Sequence, residues 1–166
     1  MLDTDVYSYL NKPKDTRGPI YQRHVEGKLV ALSFITIGEL LYGAYKDKWG
    51  QERLDAMKAR LKSVVIVPYD YVICETYADI KEKLRAKGKS LKDNDLWIAA
   101  CAVRHSIPLI SNNRSHFEVI PELILISEAP VVAQIESQGN IFEPTKPSSE
   151  PAPPPVQSPS SEPDKV

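Results

Sequence analysis

The sequence predicts an α/β fold around a mainly parallel sheet, and three observations carry that prediction. Short apolar runs of strand length alternate with longer stretches whose apolar residues recur at helical spacing. Strands that alternate with helices in this way form βαβ units. The 142 residues before the C-terminal tail are also enough to bury one stable core.

The elements follow in order. Met1-Leu2 leads into Asp3 and a helical stretch, Val6 to Leu10. Leu29 to Ser33 reads as a strand or buried segment. Ile37, Leu40, Leu41, Ala44 and Tyr45 then share one helix face, and Gly50 to Leu61 is a second helix with charge on its outer side. Val64 to Val67 is a strand closed by Pro68. Asp70 to Arg85 is a helix stopped near Gly88, a residue suited to a helix C-terminus. Asn94 to His105 is the most apolar helix, and Pro108 to Ile110 and Leu123 to Ile126 are short buried strands. Tyr42, Tyr45 and Trp49 form a helical stripe expected to pack mainly into the core, with one aromatic exposed.

Composition divides the chain. Eight of the 14 prolines lie between Pro144 and Pro163, in a segment of five serines and no aromatic residue. Such a segment buries too little apolar surface to offset its ordering entropy, which predicts disorder for residues 143–166. That tail holds two lysines against four acids, so the net charge of -1 averages an acidic tail with a body of about +1. A strongly basic nucleic-acid arm is excluded, although a local basic patch is not. Cys74 and Cys101 are too few for a disulfide framework. With no charged-then-apolar leader, a reduced, cytoplasmic protein is expected. No apolar run approaches the ~20 residues of a membrane span. His24, His105 and His116 lack zinc-ligand spacing.

The acidic residues fall in a pattern. Asp3 and Asp5 follow the first apolar residues, Glu39 lies in the expected first turn of a helix, Asp93 and Asp95 open the apolar helix, and Asn112-Asn113 follow a strand. Ligands of an open parallel sheet collect beyond the carboxyl ends of its strands, where Asp3 and Asn113 are placed. Carboxylate and amide oxygens without thiol or imidazole are hard ligands suited to Mg²⁺ or Mn²⁺. Each position also has a structural reading. Thr36 to Glu39 matches a capping box, Asp95 complements a helix dipole, Asp3 and Asp5 can cap a helix, and Asn112-Asn113 can be a turn.

Four blocks in a fixed order bring a resemblance. They are LDTDVYSYL (2–10), SFITIGELLYGAYK (33–46), NDLWIAACAVRHSIPLISNN (94–113) and HFEVIPELIL (116–125). With them, the chain resembles the PIN-domain family and, within it, the VapC-type toxins of toxin–antitoxin pairs. The resemblance implies a PIN-like three-layer fold, a central sheet of about five parallel strands flanked by helices, over residues 1–127. Residues 128–142 are then a C-terminal extension. It further implies a Mg²⁺-dependent endoribonuclease, with Mn²⁺ as a substitute. Asp3, Glu39, Asp95 and Asn113 take the family's catalytic positions, Asp3 and Asp95 as metal ligands. Thr4 and Ser111 match the supporting hydroxyls. Asn113 stands where the family often has aspartate, and being neutral it can orient a water but not act as a base. Asp5 and Asp93 lie beside the matched positions without being the usual ligands. Only Met1-Leu2 precede Asp3, which predicts a central strand with few ladder hydrogen bonds.

Six cations and one acid lie between Lys81 and Lys92. They read either as a solvated face or as an RNA rail in which Lys87, Lys89 and Lys92 lead to the site. The resemblance implies tRNA or rRNA as substrate, a cognate antitoxin gripped partly by the Tyr42–Trp49 region, a homodimer and no membrane partner. Two other functions compete. One is a PIN-like RNA- or protein-binding module without activity. The other is a haloacid-dehalogenase-type phosphatase, because Asp3-Thr4-Asp5-Val6 imitates that family's nucleophile loop.

Overall fold

In the computed structural model, residues 1–130 are described; the remainder of the expected extension (131–142) and the Pro/Ser-rich tail (143–166) lie outside the described residues. The elements are α1 (Thr4–Leu10), α2 (Gly18–Val25), β1 (Ala31–Ser33), α3 (Phe34–Lys46), α4 (Gln51–Leu61), β2 (Val65–Val67), α5 (Tyr71–Ala86), α6 (Asp93–Arg104), β3 (Leu109–Ile110), α7 (Arg114–Phe117) and β4 (Leu125–Ile126). β1 pairs with β2 and β3 with β4, all in parallel. Leu2 joins the two pairs by parallel bridges to Leu32 and Ile110. The sheet order is therefore β2-β1-Leu2-β3-β4.

The central rung is the single bridged residue Leu2, yet it is well bonded. The Leu2 amide donates to Ala31 O at 2.9 Å, the Ile110 amide to Met1 O at 2.9 Å and the Asp3 amide to Ile110 O at 3.0 Å. Side chains on neighbouring strand residues point to opposite faces, and this splits the core in two. Met1, Ala31, Val67 and Leu109 pack with α5, α6 and α7. Leu2, Leu32 and Ile110 pack with α1 to α4. The result is three layers, helices on both sides of one parallel sheet.

Local chemistry explains the element ends. Ser33 caps α3, its Oγ accepting the Thr36 amide at 3.0 Å. Asp70 caps α5 through the Ile73 amide at 2.8 Å. Gly88 takes φ +66 just after α5, and its amide and that of Lys89 donate back to Arg85 O and Leu84 O. This is the expected left-handed stop. α6 buries Leu96 and every residue from Ile98 to Ala102. Its alanines allow close approach to α5, across which Tyr77 and Trp97 stack with centroids 4.0 Å apart.

Two helices escaped the sequence reading, α2 and α7. The Gly18-Pro19 start of α2 was the available signal, since proline suits the first turn of a helix. Gly18 has a second reason to be glycine: a Cβ there would lie 2.9 Å from Tyr9 O in α1. The aromatic stripe also differs from expectation. Tyr42 and Tyr45 are 67% and 58% exposed, because the α3 face that bears them has no covering element among the described residues.

Candidate active site

At the carboxyl ends of the strands, Asp3 follows the Leu2 rung and Ser111 to Asn113 follow β3. Asp95 stands in the first turn of α6, as expected. Glu39 lies in the second turn of α3, not the first, because α3 begins at Phe34.

Asp3 is the buried centre, 6% exposed. Its Oδ1 accepts the Thr4 amide at 2.8 Å and its Oδ2 accepts the Ser111 hydroxyl at 2.7 Å. Burial pushes its carboxyl up to about 7, and the nearby Asp5 and Asp95 charges push the same way against those two hydrogen bonds. The Asp5 carboxyl is raised too, chiefly by burial, although its oxygens accept the Val6 amide at 2.5 Å and the Asn112 amide at 3.2 Å. Asp3, Asp5 and Asp95 thus form one mutually repelling group.

Glu39 stands at its edge. One oxygen accepts the Thr4 hydroxyl and the other the Asn94 side-chain amide at 2.7 Å. It does not bond back to the Thr36 amide, which Ser33 already caps, so the capping-box reading of Glu39 is wrong. Asp95 Oδ2 lies 2.8 Å from His116 Nδ1, and the Asn113 side-chain amide lies 2.7 Å from the same nitrogen. One ring nitrogen cannot donate to a carboxylate and accept from an amide N–H together. A ring protonated at Nδ1 donates to Asp95 Oδ2, and one deprotonated there accepts from Asn113 Nδ2. The Asn113 main-chain amide donates to Ser111 Oγ at 3.0 Å, tying this loop to Asp3.

The predicted set is therefore brought together: Asp3, Thr4, Glu39, Asp95, Ser111 and Asn113 share one hydrogen-bonded neighbourhood. Sequence reasoning undervalued Asp5 and Asn112 and missed His116 and Tyr21 as parts of the site. The buried Tyr21 hydroxyl donates to Asn112 Oδ1 at 3.0 Å and accepts the Glu128 amide at 3.1 Å. Asp93 is excluded: it lies on the surface with Tyr77 and Lys81, each 2.7–2.8 Å away. No strand precedes it, so the acidic pair that the phosphatase reading needs at a strand end is absent among the described residues.

Among the described residues, no three Asp, Glu, His or Cys side chains converge closely enough to hold a metal ion as they stand. The donor set nevertheless fits a hard divalent cation. It is all oxygen, and its carboxylates repel one another, a strain that a cation relieves. As they stand, Glu39 is bonded to Asn94 and Asp95 to His116.

The basic stretch resolves into two groups. Lys81 pairs with Asp93 at 2.8 Å, Lys83 with Asp79 and Glu122 at 2.7 and 2.6 Å, and Arg85 with Glu82 at 2.7 Å. Lys87, Lys89 and Lys92 have no ion-pair partner among the described residues. Lys89 and Lys92 line a cavity of about 320 Å³ with His116, at the edge of the site. Lys87 instead borders a groove with Glu122.

The PIN domain family profile matches residues 1–123. Ribonuclease VapC2 of Rickettsia felis is 33% identical over 129 residues, covering 75% of this chain and 94% of that protein. A Shigella flexneri protein named tRNA(fMet)-specific endonuclease VapC is 27% identical over 120 residues, covering 71% and 89%. Among solved structures, R. felis VapBC2 bound to a promoter DNA fragment superposes with a TM-score of 0.67 at 29% identity, covering 76% of this chain and 96% of that one. Sequence blocks, three-layer fold and clustered carboxylates agree, and the chain belongs to the PIN domain family, among its VapC-type members.

Proposed function

We propose that the chain is a metal-dependent endoribonuclease, the toxin half of a toxin–antitoxin pair, hydrolysing RNA phosphodiester bonds with water. The observation that carries this reading is the buried, mutually repelling carboxylate group around Asp3 at the carboxyl edge of the sheet. The likeness to relatives named ribonuclease or tRNA-specific endonuclease supports it.

Asp3 and Asp95 would hold Mg²⁺, or Mn²⁺ in its place. When bound, the cation supplies Lewis acidity toward a phosphate oxygen and lowers the pKa of a coordinated water. The protein does the rest. Ser111 and the Thr4 amide fix the Asp3 carboxylate. Thr4 holds Glu39 at the rim, where its free lone pairs orient the attacking water and take its proton. Asn113 orients water without taking a proton. His116 steadies Asp95 through Nδ1. Lys89 and Lys92 neutralise phosphates of the approaching strand, and the salt dependence of binding should follow.

The partners belong to the same proposal. A cognate antitoxin is supported by neighbours solved as VapBC assemblies. A homodimer is supported by the exposed apolar residues Val65, Ile66, Tyr69, Tyr71 and Val72 beside the edge strand β2. The substrate is tRNA or rRNA, the first favoured by the name of the Shigella relative.

Purified protein should cleave RNA with Mg²⁺ and stop with EDTA. Asp95→Asn should lose at least a hundredfold in rate while keeping its fold by circular dichroism. Full activity in that variant, or in EDTA, would sink the assignment. RNA retained but uncut under all metal conditions would instead establish a binding module without activity, with Asn113 in place of a fourth carboxylate as its basis.

A further inference from the structure

A cavity of about 550 Å³ opens beside the acidic cluster, with Thr4 and Glu39 on its rim and α1, α3 and α4 as its walls. That volume lies in the range of small-ligand sites. Its lining includes Tyr7, which is only 6% exposed and whose hydroxyl is open to the cavity. Arg60, another lining residue, lies close enough to that hydroxyl to oppose the effect of its burial. One wall carries a flat stack, the Arg53 guanidinium 3.5 Å from the Trp49 ring centroid. Arg53, Arg60 and Lys12 all lack an ion-pair partner among the described residues. A planar stacking surface, three cations against the acids Glu39 and Asp47, and an accessible hydroxyl suit a ligand that is flat, anionic and edged with polar groups.

We propose that this cavity is a nucleotide subsite of the cleavage site, holding one unstacked nucleotide of single-stranded RNA next to the scissile phosphate. The inference rests on the nuclease reading above and adds the subsite to it. The base lies on the Arg53–Trp49 stack, as unstacked RNA bases do on aromatic rings and guanidinium planes. Arg60 and Lys12 take its phosphate, and the Tyr7 hydroxyl meets a polar edge. Continuity with Thr4 and Glu39 places the neighbouring phosphodiester at the carboxylates. Lys12, Arg53 and Arg60 outnumber Glu39 and Asp47 in the lining, which favours an RNA phosphate over an apolar segment of a partner protein.

The chain has two tryptophans, Trp49 and Trp97, and Trp97 stacks on Tyr77 in another part of the molecule. In a Trp97→Phe background, Trp49 emission therefore reports this cavity alone. The probes are the RNA tetranucleotides rA4, rC4 and rU4, added in EDTA so that nothing is cut, with ribose 5-phosphate as a control. A saturable change in emission is expected for at least one tetranucleotide and not for the sugar phosphate. Arg60→Met should weaken it at least tenfold, Tyr7→Phe should weaken it less, and Arg60→Lys should restore part. Cleavage of a long RNA, measured alongside in Mg²⁺, should show a matching fall in kcat/KM for Arg60→Met. If the unsubstituted protein cuts RNA while Trp49 stays unmoved and kcat/KM is unaffected by Arg60→Met, the subsite is refuted and the nuclease reading survives. If it cuts no RNA in any metal, the nuclease reading has failed. A response of Trp49 to the antitoxin but to no tetranucleotide makes the cavity a peptide site and overturns the proposal.

Discussion

Replacing Asp3 by asparagine should stabilise the metal-free protein at pH 8 while abolishing cleavage. The Asp3 carboxyl titrates near 7 in the fold, against 3.8 when solvated. Between those values the folded state binds a proton that the unfolded state has lost, so stability falls as pH rises, and the loss is complete above about pH 7. Three pKa units correspond to at most about 4 kcal/mol. Asparagine carries no charge and escapes this loss. It can still accept the Thr4 amide and can face Ser111, whose hydroxyl rotates to accept; imperfect geometry there costs about 1 kcal/mol. The net gain is then on the order of 3 kcal/mol, a large fraction of the stability of a single domain. Urea unfolding in EDTA at pH 8 and pH 4.5 measures it. The variant should exceed the unsubstituted protein at pH 8 and match or fall slightly below it at pH 4.5. Mg²⁺ should then raise the midpoint of the unsubstituted protein and leave the variant nearly unmoved. An Asp3→Asn protein destabilised equally at both pH values would refute the account of Asp3 as a buried, self-repelled carboxyl.

Other expectations concern what surrounds the cluster. Lys89→Glu with Lys92→Glu should weaken RNA binding and reduce the slope of log affinity against log salt by about two, while Lys81→Glu, whose lysine is already paired, should change that slope less. A filter-binding series in EDTA checks both. Tyr21→Phe removes the hydroxyl that ties Asn112 to the Glu128 amide and should cost about 1–3 kcal/mol in urea unfolding. Gly18→Ala forces α1 and α2 apart at Tyr9 O and should cost about 1–3 kcal/mol by the same method, with Gly50→Ala as a control where a Cβ meets nothing within 4 Å.

The alternation of strand and helix was readable because the strands are short and apolar and β1, β2 and β3 are each followed by a helix. Gly88 illustrates this: its stop signal depends only on local backbone conformation. Asp3, Asp95 and Asn113 were readable from their places at element ends. Asp5 and His116 were not, since what joins them to the site is the approach of α1, α6 and the loop after β3, separated by 90 residues or more for Asp5. The charge run shows the same limit. Six cations look alike in sequence, and only folding brings Asp79, Glu82, Asp93 and Glu122 to three of them. α2 was missed because eight residues with a single buried aromatic give little periodic signal.

The Leu2 rung has a consequence for how activity is lost. The β2-β1 pair and the β3-β4 pair meet along one seam, and the same few amides that close the seam hold the main chain of Asp3. Met1, Leu2 and Asp3 are buried between those pairs, and buried central strands are among the last segments to open in native-state fluctuations. Opening this seam therefore parts the two core clusters and releases the central carboxylate in one event, so loss of the site should coincide with global melting. Hydrogen exchange at the Leu2 and Asp3 amides would then serve as a gauge of the competent population, independent of any substrate.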